Sequence, residues 1–406
     1  LASVRGLKQA AMLLLAALLS LAAAVFVALL LLSRQLPAVG DAKPHDLSTG
    51  AFGEDALRRA YEAHEAQACA KPCTAREQSL QRLLGDWLQK KGFTEAQLKV
   101  LAEFREQLVR EGLLDSWWDN TLVFWRFCEA RKWDVSKALE MFRNHLEWRK
   151  SHDLQIVETA VGYMPKLLAE FQFPELYQVK QACQFTHHKV SKQGHPMYFD
   201  RVGALDLEAI KRVSSVERLV RYIVWYQEAT LVYRAPAASL AVGRLVTTSV
   251  YVLDLQGFSL SKFDSETRQL LKTVAKMGSD HYPQTMEKVI FVNASLSFRV
   301  VWNFLGAILD QRILDSFTML GGRSEYKPFL LQFLDEADLP AFLGGQDTSL
   351  DFVNENGPWA NHLPPLVSNR DDGPSNASNQ VKWATVPEPS KHPPSARKKT
   401  AKSSPL

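Results

Sequence analysis

Cysteine is scarce. The 406 residues hold four, Cys69, Cys73, Cys128 and Cys183, too few and too scattered for a disulfide scaffold or a paired C-x-x-C zinc site, so they read as buried or idle thiols. Charge is nearly balanced as well: a formal net charge of +4, with no basic stripe carrying interleaved aromatics, argues against a nucleic-acid partner. The chain lacks a G-x-S-x-G elbow, a G-x-x-x-x-G-K-[ST] loop and a G-x-G-x-x-G fingerprint, so the common hydrolase, nucleotide and dinucleotide signatures are absent. What it has in quantity is apolar mass. With 46% hydrophobic residues, 21 Phe and 10 Trp, it can build a sizeable core.

The two ends do not look like core. Residues 9–33, QAAMLLLAALLSLAAAVFVALLLLS, carry no charge; at ~1.5 Å per residue they make ~37 Å of helix, enough to span a bilayer with tilt. The expectation is a single transmembrane signal anchor, with cleavage near the small residues at 37–40 as the alternative. Arg5 and Lys8 before it and Arg34 and Lys43 after it leave orientation tied. A juxtamembrane linker then covers 34–74. At the other end, 363–406 is rich in Pro, Ser, Asn and Lys without apolar periodicity and is expected to be a disordered basic tail that mainly solvates.

Between them the texture divides in two. SLQRLLGDWLQKKG, TEAQLKVLAEFREQLVREG and VSKALEMFRNHLEWRKS repeat apolar residues every three or four positions, which predicts a helical bundle over 75–160. Gly92 and Gly112 stand where helices should end, and Thr94 opens a Thr-x-x-Gln cap. Beyond Pro174, β-rich runs at 196–203, 249–257, 288–295 and 316–322 alternate with helical stretches near 208–233, 262–278, 298–309 and 323–335. Strands joined by helices predict a largely parallel α/β sheet with ligand-binding loops at its strand ends.

His187, His188 and His195 lie close in sequence, but no carboxylate or cysteine spacing completes a metal site, so they read as surface or pocket-rim residues. Asp200 and Asp254 end strands and read as turn caps. Val300 to Leu309 contains no charge and one markedly polar residue, Asn303. A helix apolar all round needs cover on every side, and ten residues cannot span a bilayer.

Several segments, in order, resemble one family. WRFCEARKWDVSKALEMFRNHLEWRK (125–150) is similar to the helical module that precedes a CRAL-TRIO lipid-binding domain. KQGHPMYFDRVG, LVTTSVYVLDLQGFSL, HYPQTMEKVIFVNAS, LDSFTMLGG and ADLPAFLGG resemble the successive motifs of that domain, over about 94–346. The likeness is strongest to the Sec-fourteen branch, the phosphatidylinositol and phosphatidylcholine transfer proteins. It implies a mixed β-sheet flanked by helices over 170–346, a pocket enclosing one phospholipid as cargo, and no further cofactor. It also implies that 298–314 is a mobile gate helix, with Phe298, Val301, Trp302, Leu305 and Ile308 facing acyl chains.

The resemblance further implies headgroup positions. Arg131 matches the family's basic residue near the inositol phosphate, whereas Gln284 replaces a carboxylate and Ser316 a lysine. On the choline side Ser249 and Tyr198 match, Tyr251 replaces a threonine and His187 a tyrosine. The expectation is a non-enzymatic, membrane-anchored lipid-binding and transfer protein whose domain faces the cytosol, with membrane lipids and the membrane surface as its partners. A lipid-sensing scaffold and a lipid-modifying enzyme are the alternatives.

Overall fold

The computed structural model describes residues 75–115, 117–159, 162–258, 264–295, 298 and 316–367. The described residues open with four helices: α1 (Ala75–Lys91), α2 (Glu95–Arg110), α3 (Thr121–Ala130) and α4 (Val135–Ser151). Their ends follow local chemistry. The Thr94 hydroxyl accepts from the Gln97 amide while the Gln97 side chain accepts from the Thr94 N–H, so the predicted capping box is present. Gly92 and Gly112 take left-handed φ values of +62° and +66° beyond the last turns of α1 and α2. The apolar stripes meet in a cluster around Phe104, Phe124, Phe127 and Phe142, whose rings pack edge to face at 5.0–5.8 Å.

A hairpin follows, β1 (Ile156–Thr159) with β2 (Gly162–Pro165), and then two short helices, α5 (Lys166–Glu170) and α6 (Leu176–Ala182). The main sheet has five strands in sequence order, β3 (Phe185–Val190), β4 (Pro196–Asp200), β5 (Ser249–Asp254), β6 (Met286–Val292) and β7 (Phe317–Met319). β3 runs antiparallel to β4 and every other pair is parallel. The sheet is therefore mixed, as the resemblance implies. Between β4 and β5 lie α7 (Leu207–Val213), α8 (Val216–Ala229), a π-helical turn at Thr230–Arg234 and α9 (Ala235–Val242). α10 (Ser265–His281) joins β5 to β6, and α11 (Arg323–Leu330) follows β7.

Strand alternation gives the sheet two unlike faces. On one, Met197, Phe199, Val250, Val252, Ile290 and Val292 are sealed beneath a cluster that includes Tyr326, Leu330, Leu339 and Leu343. On the other, the β3 and β4 side meets α8, where Phe185 stacks against Tyr222 and meets Tyr226 edge-on. The chain stays packed past residue 363, where the tail was expected to begin. Leu363, Leu366 and Val367 lie against the core and the Leu366 carbonyl accepts from the Phe173 N–H at 2.6 Å. Apolar side chains scattered among prolines had hidden this contact. Among the described residues no helix is long and apolar enough to cross a membrane; the predicted anchor at 9–33, the linker at 34–74 and the tail beyond 367 lie outside the described residues.

One buried ion pair ties the helical module to the sheet. Arg149 of α4 meets Glu228 of α8 at 2.8 Å with side chains 6% and 3% exposed, and the Tyr282 hydroxyl donates to the same carboxylate oxygen at 2.7 Å. Arg149 also donates to the Leu154 carbonyl, and Arg126 of α3 to the Thr247 carbonyl, each at 2.8 Å. Removing one partner strands the other charge. Glu228→Ala should therefore cost about 3–5 kcal/mol, and the double change Arg149→Met with Glu228→Leu markedly less. Urea unfolding of the three proteins checks this; equal losses in single and double variants would show that the pair is not what joins the two parts.

Candidate functional site

The strand register sets one row of side chains across the whole sheet. His187 of β3 pairs with Tyr198 of β4, Tyr198 with Tyr251 of β5, Tyr251 with Val289 of β6, and Val289 with Phe317 of β7. The parallel row beside it on the same face is Phe185, Asp200, Leu253, Phe291 and Met319. Polar aromatic groups thus gather at the β3 end. Apolar ones continue to β7, where Leu253, Phe291, Phe317 and Met319 are only half-buried. On the face opposite, the apolar side chains Met197, Phe199, Val250, Val252, Ile290 and Val292 are all buried, so the half-buried apolar positions gather on one face.

At the polar end the rings interlock. The Tyr198 and Tyr251 centroids are 4.8 Å apart, and His187 meets Tyr198 edge-on at 5.3 Å while stacking on Tyr226 at 5.3 Å. Ser249, two residues before Tyr251 on the same strand, is buried and its hydroxyl has no hydrogen-bond partner among the described residues. The four residues assigned to the choline side therefore share one sheet face. Behind them the π-helical turn brings Arg234 inward: its guanidinium lies 4.0 Å over the Tyr226 ring, donates to the Tyr226 carbonyl at 2.8 Å and forms a two-pronged pair with Glu355. The Glu355 carboxylate and neighbouring tyrosines raise the Arg234 pKa against the cost of burial.

Two ionisable groups near this face escape sequence reasoning. Lys180 of α6 is buried, donates to the Phe185 carbonyl and lies 3.5 Å over the Phe185 ring; burial brings its ammonium down to about 8. Asp200 was expected to cap a turn. Instead its carboxylate accepts from the Tyr198 hydroxyl at 3.0 Å, and burial pushes its pKa up to about 7, with Tyr198 and Lys180 opposing and Asp254 adding to the rise. Asp254 does behave as a cap, accepting from the Gln256 N–H at 2.9 Å.

The inositol-side residues sit elsewhere, at the ends where β5, β6 and β7 begin. Arg131 closes α3 in a sharp turn, since Lys132 and Trp133 have φ of +52° and +66° before Asp134 caps α4. Its guanidinium is half-buried, and Asp280 and Glu140 are the carboxylates acting on it. Gln284 is exposed with φ +55° in the turn after α10, one residue before Thr285, whose carbonyl accepts from the Ser249 N–H. Ser316 immediately precedes β7, whose Phe317 pairs with Val289, so Lys288 stands beside it on β6. A lysine one strand away was not foreseen.

His187 and His188 are not surface residues. Both are buried: the chain after α11 runs along β3, with the Asn356 carbonyl accepting from the Lys189 N–H at 2.5 Å, and His188 Nε2 lies 2.6 Å from the Asp347 carboxylate. His195 contacts Thr248. Of the expected gate residues, Phe298 lies with its ring 6.1 Å from Phe291 and 6.0 Å from Phe258; Val301, Trp302, Leu305 and Ile308 lie outside the described residues. A separate polar cleft of about 360 Å³ is lined by Asp153, Lys166, Arg218 and Arg221, but its cations are already paired with Asp153, Glu170 and Glu175.

The raised Asp200 pKa has a sign that can be measured. The folded chain keeps this proton at pH values where the unfolded chain has lost it, so from about pH 4 to about 7 rising pH removes stability through this group. Asp200→Asn keeps an acceptor for Tyr198 without titrating. The melting temperature of the original chain should fall relative to that of the variant between pH 5 and 8, and parallel curves would show that Asp200 ionises normally.

The CRAL/TRIO domain family matches residues 180–345. The chain is 33% identical over 269 residues to "Phosphatidylinositol/phosphatidylcholine transfer protein SFH12" of Arabidopsis thaliana, covering 65% of this chain and 47% of that protein. It is 32% identical over 270 residues to the "SEC14 cytosolic factor" of Candida glabrata, covering 65% of this chain and 84% of that one. The match thus spans about half of the plant relative and most of the yeast one. Among solved structures, the crystal structure of Sfh5 matches 67% of this chain and 93% of its own, with a TM-score of 0.47 and 16% identity. From its sheet, its motifs and these relatives, the chain belongs to the CRAL-TRIO family, among the Sec-fourteen-like proteins.

Proposed function

We infer that this protein binds one phospholipid and exchanges or presents it at membranes, without chemistry of its own. The observation that carries the reading is the two-faced sheet. Its sealed face needs nothing more, while its other face grades from the His187, Tyr198, Tyr251 and Ser249 group to half-buried Leu253, Phe291, Phe317 and Met319. That gradient matches an amphipathic ligand, headgroup toward β3 and chains toward β7. The names of the relatives, which are transfer proteins for phosphatidylinositol and phosphatidylcholine, support the same class.

Energetics say why a gate belongs to the reading. Two chains of about 16 carbons, at about 0.8 kcal/mol per CH₂, gain on the order of 25 kcal/mol from burial, close to what the bilayer offers them. Exchange is then nearly isoenergetic, and exposure of the chains to water sets the barrier. The segment 298–314, uncharged from Val300 to Leu309, serves as the cover that opens against the membrane. An anchor at 9–33 would hold the domain at one membrane, which favours presentation or short-range transfer. A scaffold that senses lipid without moving it differs in one respect: it would load lipid and fail to transfer it between vesicles.

Two results are expected. Val301→Asp or Leu305→Asp places a charge in an apolar lining at a cost of several kcal/mol, so labelled-lipid loading of the full chain should fall while circular dichroism stays unchanged; full loading by a folded variant would remove 298–314 from the pocket. Separately, Gln284→Glu with Ser316→Lys should raise phosphatidylinositol loading about tenfold over the unchanged chain, because a charge-assisted bond adds about 1–2 kcal/mol over a neutral one. Dominant phosphatidylinositol in the unchanged chain, read by native mass spectrometry, would show that other residues hold the inositol ring.

A further inference from the structure

Helix α4 of the helical module and helix α10 of the sheet domain meet across an indole flanked by histidines. The Trp148 ring stacks on His281 at 4.1 Å with 9° between planes, and on His152 at 4.5 Å. His145, three residues before Trp148, lies 5.8 Å from His281 and is 3% exposed, walled by Trp118 at 5.4 Å and Phe127 at 5.3 Å. The His152 Nδ1 is 2.9 Å from the Trp148 carbonyl, which can only accept, so that nitrogen is satisfied as a donor. The other two rings differ: the Nδ1 atoms of His145 and His281 are both buried, with no hydrogen-bond partner among the described residues. A neutral imidazole can leave Nδ1 as a bare lone pair, but an imidazolium carries an N–H on both nitrogens and buries a charged donor without an acceptor.

Burial is the first obstacle to a proton on either ring, and most of the charges facing the seam add to it. On α4, Arg149 opposes a proton on both histidines and His152 opposes one on His281. The nearest carboxylate of α8, Glu228, is already taken by Arg149 and the Tyr282 hydroxyl. On α10, Lys276 opposes a proton on His281; Asp280 favours one, but it also answers Lys276 and Arg131. From α3 and the loop before it come the uncharged rings of Phe127 and Trp118. His145 is thus held well below the ordinary histidine range and His281 is brought down to about 4. Both rings are neutral while the seam is shut.

We propose that the α4–α10 seam is an acid-released latch: protonating His145 and His281 parts the helical module from the sheet domain before either unfolds. In the open seam both imidazoles meet water and titrate near the ordinary value of about 6.5, whereas the closed seam refuses their protons. Closure is therefore fully supported above about pH 6.5 and weakens as pH falls toward 4. Each unit of pH lost over that range favours opening by up to about tenfold per histidine. Release of His281 also reaches the sheet. α10 runs through Tyr282 and Gln284 to Thr285, whose carbonyl holds the Ser249 N–H at the start of β5. No bound lipid is needed for any of this, so the latch stands apart from the lipid-pocket reading.

The test is hydrogen exchange of the full chain at pH 7 and pH 5, followed peptide by peptide and corrected for the intrinsic pH dependence of exchange. On going to pH 5, protection of residues 145–152 and 277–282 should fall about a hundredfold while strands β4 to β6 keep theirs. The double variant His145→Phe with His281→Phe keeps two aromatic rings in the seam and titrates at neither, so protection there should hold at both pH values. Should that variant not fold, His281→Phe alone, at the half-buried end of α10, should retain only the response of His145, a fall of about tenfold. An equal fall along β4 to β6 would reduce the effect to ordinary acid unfolding and overturn the latch. So would a selective fall that persists in the double variant or is unaltered in His281→Phe, or no fall at all in the original chain.

Discussion

Everything functional here depends on the period of two in a β-strand. Because successive side chains point to opposite faces, Tyr198 and Phe199, Tyr251 and Val252, Val289 and Ile290 are sent to different environments by one backbone. Phe199, Val252 and Ile290 go to a sealed core, while Tyr198, Tyr251 and Val289 go to the face whose far end, at Leu253, Phe291, Phe317 and Met319, is half-buried. A one-residue slip in β4 or β5 would put tyrosines under α11 and valines in the polar nest. Register is therefore specified twice, by core packing on one side and by the ring contacts of His187, Tyr198 and Tyr251 on the other.

Burying charge near such a face demands partners from far along the chain. Arg234 cannot lie inside without a counter-charge, and it finds Glu355, 121 residues away, in the stretch that follows the last helix. The same stretch supplies Asp347 to His188 and Lys189, the Asn356 carbonyl to β3, and the fully buried Trp359. β3 is an edge strand and would otherwise present unpaired backbone groups. The covering stretch thus does two things with one set of contacts. It closes the sheet edge and fixes the charges behind His187, which keeps the chain packed well past its last recognisable motif.

Much of this was legible beforehand where the signal is local. Helical stripes, the Thr94 and Gln97 box and the glycines at 92 and 112 are each set within a few residues, and all appear where expected. The four β-rich runs became β4 to β7 because Val, Ile, Tyr and Phe dominate them. β3 was not legible: FTHHKV has two histidines and a lysine at its centre, which read as surface. Their burial depends on Tyr226 and Asp347, at separations of 39 and 159 residues, and no window sees such distances. The same holds for Lys180, whose helical turn reads as exposed until the Phe185 ring is laid beneath it.

If the lipid chains gain nearly the same free energy in the pocket as in the bilayer, they contribute little to choosing one lipid over another. Choice then rests on polar contacts, where a single bond to a charged acceptor shifts occupancy about tenfold. This places the burden of selectivity on a few atoms of the sheet. The rim residues Gln284 and Ser316 are neutral, and their region borders water, where screening weakens what charge remains. The β3 end is different. Arg234, Lys180 and His187 are buried there beside half-buried Asp200, so each hydrogen bond counts for more and each missing one costs more. Few polar groups suffice on such a face, because a hydrogen bond made in a low-dielectric interior is stronger than the same bond among exposed, screened cations.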